Sequence, residues 1–263
     1  MSRNFELLKR AEEESRQSKV ERVIFGSGDD GDAKNAKSPP PSDSILACKK
    51  PSASLTEMAR GEVVKFVQRL FLLQGSKAPR IVVLSGLEPT NESSWVASCA
   101  SEVLAALVDG SVCLVDANLR HPIVHEHFGI ANHHGFTDAI LGSGSLWRFT
   151  NQVSRNLWLL TCGGLLTDIN ELFTAQRLRS RFQELRAEFE YVLIETAAPS
   201  LHNDAAMLGQ LADGMVLVVE AHTTRRDEAQ RVTKDLAQAN VRMLGVVLNN
   251  STFTIPQAIY SRL

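Results

Sequence analysis

Tyrosine is almost absent from this chain, with two in 263 residues, and no excess of either charge is present. Twenty-eight Lys and Arg residues stand against 30 Asp and Glu, leaving a net charge of −2. That balance excludes a general nucleic-acid-binding or anionic-membrane surface. Long apolar runs are also missing. The longest, such as Met215 to Val219, are strand-sized, far from the ~20 residues that cross a bilayer, so no transmembrane segment of its own is expected. The N-terminus MSRNFELLKRAEEE is charged and amphipathic and lacks the apolar stretch of a secretory signal. The four cysteines (Cys48, Cys99, Cys113, Cys162) form no CxxC pair. Three of them sit in apolar or small-residue surroundings, and the cysteines read as structural thiols rather than a metal site. No internal repeat is visible, and the chain reads as cytoplasmic.

Three segments follow from composition. Residues 1–25 read as an N-terminal amphipathic helix, with Phe5, Leu8, Val20, Val23 and Ile24 as its apolar points. The charge crowded between Lys9 and Glu14 means that this helix needs a partner. Residues 26–54 are rich in Gly, Pro, Ser and Asp and read as a disordered linker. Residues 55–263 read as one α/β domain. It opens with a helix over Thr56–Leu73, whose Phe66, Val67, Leu70 and Phe71 require cover from the domain itself or from another subunit.

From Arg80 onward, short apolar runs predict buried strands at Ile81–Ser85, Ser111–Asp116, Leu157–Thr161, Tyr191–Glu195, Met215–Glu220 and Met243–Asn249. Helical stretches at Trp95–Val108, Asn170–Glu188, Asp204–Leu211 and Arg225–Ala239 lie between them. Apolar strands alternating with helices predict a mostly parallel sheet covered on both faces. Such sheets bind ligands at the carboxyl ends of their strands, here just after Ser85, Asp116, Glu195 and Asn249.

The first of these ends continues SGLEPTNESSWVASCASEVLAAL, a strand, a loop and a helix, where a phosphate-binding P-loop belongs. A P-loop needs glycines to wrap backbone N–H groups around phosphates, a lysine for the β- and γ-phosphates, and a Ser or Thr hydroxyl for Mg²⁺. The loop resembles that of the bacterial tyrosine kinases of capsular and exopolysaccharide synthesis, a branch of the MinD/ParA-like P-loop ATPases. Their pattern is close to S-x-E-P-G-E-G-K-S-T. Glu88, Pro89 and Ser94 match it. Thr90 and Glu92 stand where the glycines fall, with Asn91 between them, Ser93 stands at the lysine, and Trp95 at the usual Thr. By the resemblance, Glu88 to Trp95 are the cofactor-binding stretch for ATP or ADP with Mg²⁺. The loss of the lysine and the added carboxylate of Glu92 both disfavour the phosphates. The residues alone allow a second reading, a strand-to-helix turn in which Ser93 or Ser94 caps the helix.

The resemblance extends along the chain. SVCLVDANLRHP is similar to the family's L-x-D-x-D-x-R-x-P, with Asp116, Arg120 and Pro122 matching and Asn118 replacing the second aspartate. Gly129, Gly135, Asp138, Leu141 and Gly142 continue the match. YVLIETAAPS resembles a Walker-B-like run, with Glu195 in the aspartate's place, and Thr196, Pro199, Asp204 and the Ala212–Asp213 pair also fit. The resemblance therefore implies catalytic roles for Asp116, Asn118, Arg120 and Glu195. It implies Mg²⁺ held by Ser94, Asp116 and Glu195, and adenine near Asn249. Asn118 lacks a metal-attracting charge, and Glu195 carries a methylene that octahedral Mg²⁺ tolerates poorly. Among the histidines, His121 and His125 have the i, i+4 spacing of a zinc pair. No supporting carboxylate or cysteine makes that case, so His121, His125, His127, His133 and His134 are expected to face solvent.

The family's C-terminal tyrosine cluster is missing, with Tyr260 as the remaining candidate. Its E-x-x-R-x-x-R ring-forming helix is matched by Glu57 and Arg60 but not by Val63, which leaves homo-oligomer formation open. Three functions remain. The first is a degenerate kinase-like protein of exopolysaccharide or capsule assembly, peripheral at the inner membrane through a membrane co-polymerase or related export protein. The second is an ATP-dependent kinase or ATPase with an altered loop, in which an arginine such as Arg120, or one from a neighbouring subunit, replaces the lysine. The third is an adaptor docking through its N-terminal helix.

Overall fold

The computed structural model of the chain describes residues 53–164 and 175–249. The predicted helix over 1–25, most of the linker over 26–54, Cys48 and Tyr260 lie outside the described residues. The described residues build a seven-stranded sheet of order β3-β4-β2-β5-β1-β6-β7. Its strands are β1 (Ile81–Gly86), β2 (Val112–Asp116), β3 (Asn151–Gln152), β4 (Leu157–Leu160), β5 (Tyr191–Thr196), β6 (Gly214–Glu220) and β7 (Met243–Asn249). Every pairing is parallel except that of the short β3 with β4. The helices are α1 (Ala53–Val67), α2 (Glu92–Leu107), α3 (Val124–Phe128), α4 (Phe136–Leu141), α5 (Ala175–Glu188), α6 (Asp204–Gly209) and α7 (Arg226–Gln238). The six strands expected from apolar runs are all present. The polar pair β3 had no apolar signal and escaped sequence reading, because a two-residue edge strand buries nothing that hydrophobic patterning could register.

Alternation along each strand feeds two cores. On one face Ile81, Val83, Cys113, Val115, Val192, Ile194 and Leu217 pack with Phe136 and Ile140 of α4, Phe182 of α5 and Leu236 of α7. On the other, Val82, Leu84, Leu114, Leu193 and Val216 pack with Val96, Ala100 and Leu104 of α2. Cys113 and Cys162 are buried thiols within the first core. The opening helix runs on past α1 as a wider π-helical turn over Gln68–Leu72. Its Val67, Leu70 and Phe71 are buried against the second core, so the domain itself covers them. Phe71 meets the ring of Tyr191 edge-on at 5.7 Å.

Beneath the sheet's amino ends lies a satisfied ionic network. Asp213 accepts from the backbone N–H groups of Arg80 (2.7 Å) and Ile81 (2.8 Å) and from Arg186 Nη2 (2.7 Å). Burial pulls the Asp213 carboxyl upward, but the Arg186 guanidinium and these N–H donors outweigh it and hold it below the usual aspartate value.

Candidate functional site

The opposite, carboxyl ends of the strands carry the site. Leaving β1, the chain turns sharply: Leu87 N–H donates to Val218 O (2.9 Å) and Thr90 N–H to Glu88 O (2.8 Å). A Cβ on Gly86 would sit 3.0 Å from Glu88 O and 3.3 Å from Ser93 Oγ, so the close return of this loop depends on that glycine. Helix α2 begins at Glu92, three residues before the Trp95 start expected from the sequence. The expected capping role for Ser93 or Ser94 is corrected here. Asn91 occupies the N-cap without a side-chain cap bond, and both serines lie buried inside the first turn. Ser93 Oγ instead donates to Glu195 Oε1 at 2.9 Å. Its hydroxyl, at the lysine's place in the resembled loop, has been turned inward onto a carboxylate.

Asp116 and Glu195 are register partners at the ends of the neighbouring strands β2 and β5, and both are fully buried. Asp116 accepts the Asn118 N–H on Oδ1 (3.1 Å) and the Val124 N–H on Oδ2 (3.2 Å), so its loop winds around it. Asn118 Nδ2 lies 3.5 Å from Glu195 Oε1. Among the described residues, Glu195 Oε2, Ser94 Oγ and Thr196 Oγ1 are buried without a hydrogen-bond partner. Two carboxylates side by side in a dry place cannot both ionise cheaply. Burial pushes the Asp116 carboxyl up to about 7, against the pull of the N–H groups of Asn118 and Val124. Burial first, and the Asp116 charge second, raise Glu195 well above the usual glutamate value. Both shifts run in the same direction, toward the protonated form of each carboxyl.

The structure brings Ser93, Ser94, Asp116, Asn118 and Glu195 together, and it places Arg120 elsewhere. The Arg120 Nε donates to Asp204 Oδ2 (3.3 Å) at the head of α6, with the arginine side chain 37% exposed and the aspartate buried. Across the site, Asn249 Nδ2 donates to Glu92 Oε2, and Asn249 O accepts the Ala221 N–H (2.9 Å). Glu88 is half-buried, while Pro89, Thr90 and Asn91 are exposed and Trp95 is half-buried on α2. Sequence reading assigned no role to Thr196, Asp204 or Ser200, although the first two stood in its matched patterns. Ser200 Oγ donates to Leu87 O (2.6 Å) and fastens the β5 loop to the β1 loop. Nothing in one sequence marks that contact.

The expectation of solvent-facing histidines is corrected at two positions. His125 and His127 are half-buried on α3, each with one ring nitrogen buried and unpartnered. Burial lowers the His127 pKa against the pull of Glu126. His121 precedes α3, so the i, i+4 pair does not share a helix. His133 and His134 are exposed, and His134 Nδ1 lies 3.4 Å from Asp138 Oδ1. Among the described residues, no group of three or more His, Cys, Asp or Glu side chains is placed to hold a metal ion.

A strand, a tight loop and a helix entered beside two carboxylate-tipped strands is a P-loop arrangement, and comparison with known proteins agrees. The tyrosine-protein kinase YwqD of Bacillus subtilis is 28% identical over 170 residues, covering 64% of this chain and 71% of that protein. The chain's relatives are bacterial tyrosine kinases. The tyrosine-protein kinase etk of Escherichia coli K12 is 25% identical over 64% of this chain but 23% of its own length. The succinoglycan biosynthesis transport protein ExoP of Rhizobium meliloti is 28% identical over 68% of the chain and 23% of that protein. The chain thus spans about a quarter of the longer relatives. No protein-family model matches.

Solved structures show the same fold. The kinase domain of E. coli ETK superposes with a TM-score of 0.68 at 20% identity, covering 82% of this chain and 88% of that one. The chimerical protein CapA2B2 gives 0.66 at 21%, covering 78% and 88%. A ParA family ATPase from Chlorobium tepidum gives 0.57 at 15%, covering 70% and 79%. The tyrosine-kinase relatives and the P-loop NTPase fold are therefore those that the resemblance named.

Proposed function

We propose that this chain is a degenerate tyrosine-kinase-like protein of exopolysaccharide or capsule assembly. On this reading it acts by holding a membrane co-polymerase rather than by transferring phosphoryl groups. The observation that carries the reading is the Ser93–Glu195 hydrogen bond. Phosphoryl transfer is positioning plus electrostatics, and here a neutral hydroxyl committed to a buried carboxylate stands at the cation's place. ATP with Mg²⁺ does not fit the residues as they stand. Glu92 adds negative charge to the loop, Ser93 is committed to Glu195, and Arg120 is held by Asp204. A transport protein and a CapA–CapB chimera among the similar proteins support a membrane partner. No helix among the described residues is long and apolar enough to cross a membrane, so contact with the inner membrane would run through that partner.

The second reading, an ATP-binding kinase or ATPase with an altered loop, is favoured by one observation. Glu195 Oε2 at the end of β5 and Ser94 Oγ in the first turn of α2 are buried without a hydrogen-bond partner among the described residues, and such unmet polar atoms are what a ligand would satisfy. Hydrolysis of ATP with Mg²⁺, compared between the unaltered chain and Asp116→Ala, separates the two. The expected outcome is no turnover above buffer in either protein. Turnover that disappears in the variant overturns the scaffold reading.

A further inference from the structure

We propose that Glu92 is a built-in anion that closes the phosphate position of the loop from within, clasped to Asn249. This inference rests on the scaffold reading and names the residue that enforces it. Glu92 is the first residue of α2, a 16-residue helix, and is the acidic residue of its first turn. The first turn of a long helix presents unpaired N–H groups and a positive dipole end, which is why P-loop folds put phosphate there. A carboxylate carried by the chain itself supplies the charge that this position favours and repels a second anion.

The clasp has two ends. Glu92 Oε2 accepts from Asn249 Nδ2, a partner 157 residues away in sequence, and both side chains are partly buried. Asn249 is fixed in turn as the last residue of β7, with its carbonyl oxygen bonded by the Ala221 N–H at 2.9 Å. The start of α2 and the end of β7 are therefore joined by side chains across the mouth of the site. The neighbouring Ser93 is bonded to Glu195, so the residues at two adjacent replaced loop positions are engaged inside the protein. Glu92 thus determines specificity by exclusion: it keeps free phosphate and nucleotide phosphate alike from the first turn of α2.

The test uses the full chain with Glu92→Ala, Asn249→Ala and the double substitution, each melted with and without millimolar inorganic phosphate. Each single change should lower Tm by about 2–4 °C. The double should fall little further than the larger single, because one shared contact is lost. Phosphate should raise the Tm of Glu92→Ala by mass action and leave the unaltered chain unmoved. Fully additive losses would overturn the clasp. A flat phosphate response in Glu92→Ala, with the shared loss intact, would overturn the claim that this carboxylate closes the site. Where Glu92→Ala fails to fold, Glu92→Gln keeps the side-chain length, removes the charge, and carries the same expected phosphate response. ATP turnover by the unaltered chain would sink the scaffold reading, while the additivity of the two substitutions would still judge the clasp.

Discussion

The two ends of the sheet hold acidic groups in opposite ways. At the amino end, Asp213 is bonded by Arg186 and by two backbone N–H groups and lies below its ordinary pKa. At the carboxyl end, Asp116 and Glu195 face one another without a cation among the described residues that bonds them, and both are raised. The contrast separates architecture from site. The first carboxylate has every partner it needs and ties α5 to the sheet. The second pair is tolerated at a cost in stability, the common condition of a binding site.

The largest effect should come from breaking the satisfied end. Asp213→Ala leaves the Arg186 guanidinium and the N–H groups of Arg80 and Ile81 without their acceptor. It should cost about 2–3 kcal/mol in urea melts. The contribution of Asp213 is present above the unfolded aspartate pKa and is lost as pH falls through its depressed folded value. Acid should therefore narrow the gap between variant and parent.

Relieving the unsatisfied end should work in the other direction. Glu195→Gln keeps an oxygen for Ser93 and removes the repulsion with Asp116, and should raise stability by about 1–2 kcal/mol at pH 8. The parent's raised carboxyls bind protons more tightly when folded. Stability should therefore fall as pH rises from about 4, where unfolded carboxyls ionise, to about 7, the Asp116 value. Melts across that range should show this slope in the parent and a flatter one in Glu195→Gln. An unchanged slope would mean that the pair is not its source.

The smallest effect belongs to Arg120→Ala, which removes a partly exposed partner of Asp204 and should cost less than about 1 kcal/mol. A larger loss would place Arg120 within the site rather than at its margin.

Sequence reading recovered the frame because the frame is written in apolar periodicity. Ile81 to Leu84, Val112 to Val115 and Val192 to Ile194 are buried runs that permit little besides parallel strands. It also placed Asp116, Asn118 and Glu195 at the carboxyl ends of strands, since strand-helix alternation settles which loops share a side of the sheet, but the pairing of β2 with β5 came only with the structure. It could not see where hydroxyls and amides point. Ser93 reads as a loop residue at the lysine's place or as a helix cap, and only the approach of β5 to α2 shows it bonded to Glu195. Glu92 and Asn249 are distant in sequence, and one chain alone offers no signal that couples them. His125 and His127 read as polar and therefore exposed, but a five-residue helix laid on the domain takes one ring nitrogen of each out of water.

The paired hydrogen bonds in the first turn of α2 also bear on the chain's evolutionary options. A lysine at position 93 alone would enter a turn still held by Glu92 and Asn249. A glycine at position 92 alone would free the turn but leave Ser93 on Glu195, with no cation for a phosphate. Each of these two steps gives up an existing bond before any new ligand contact exists. A route back needs at least these two changes together, besides those at Thr90 and Trp95, so the two contacts act as a ratchet on this turn.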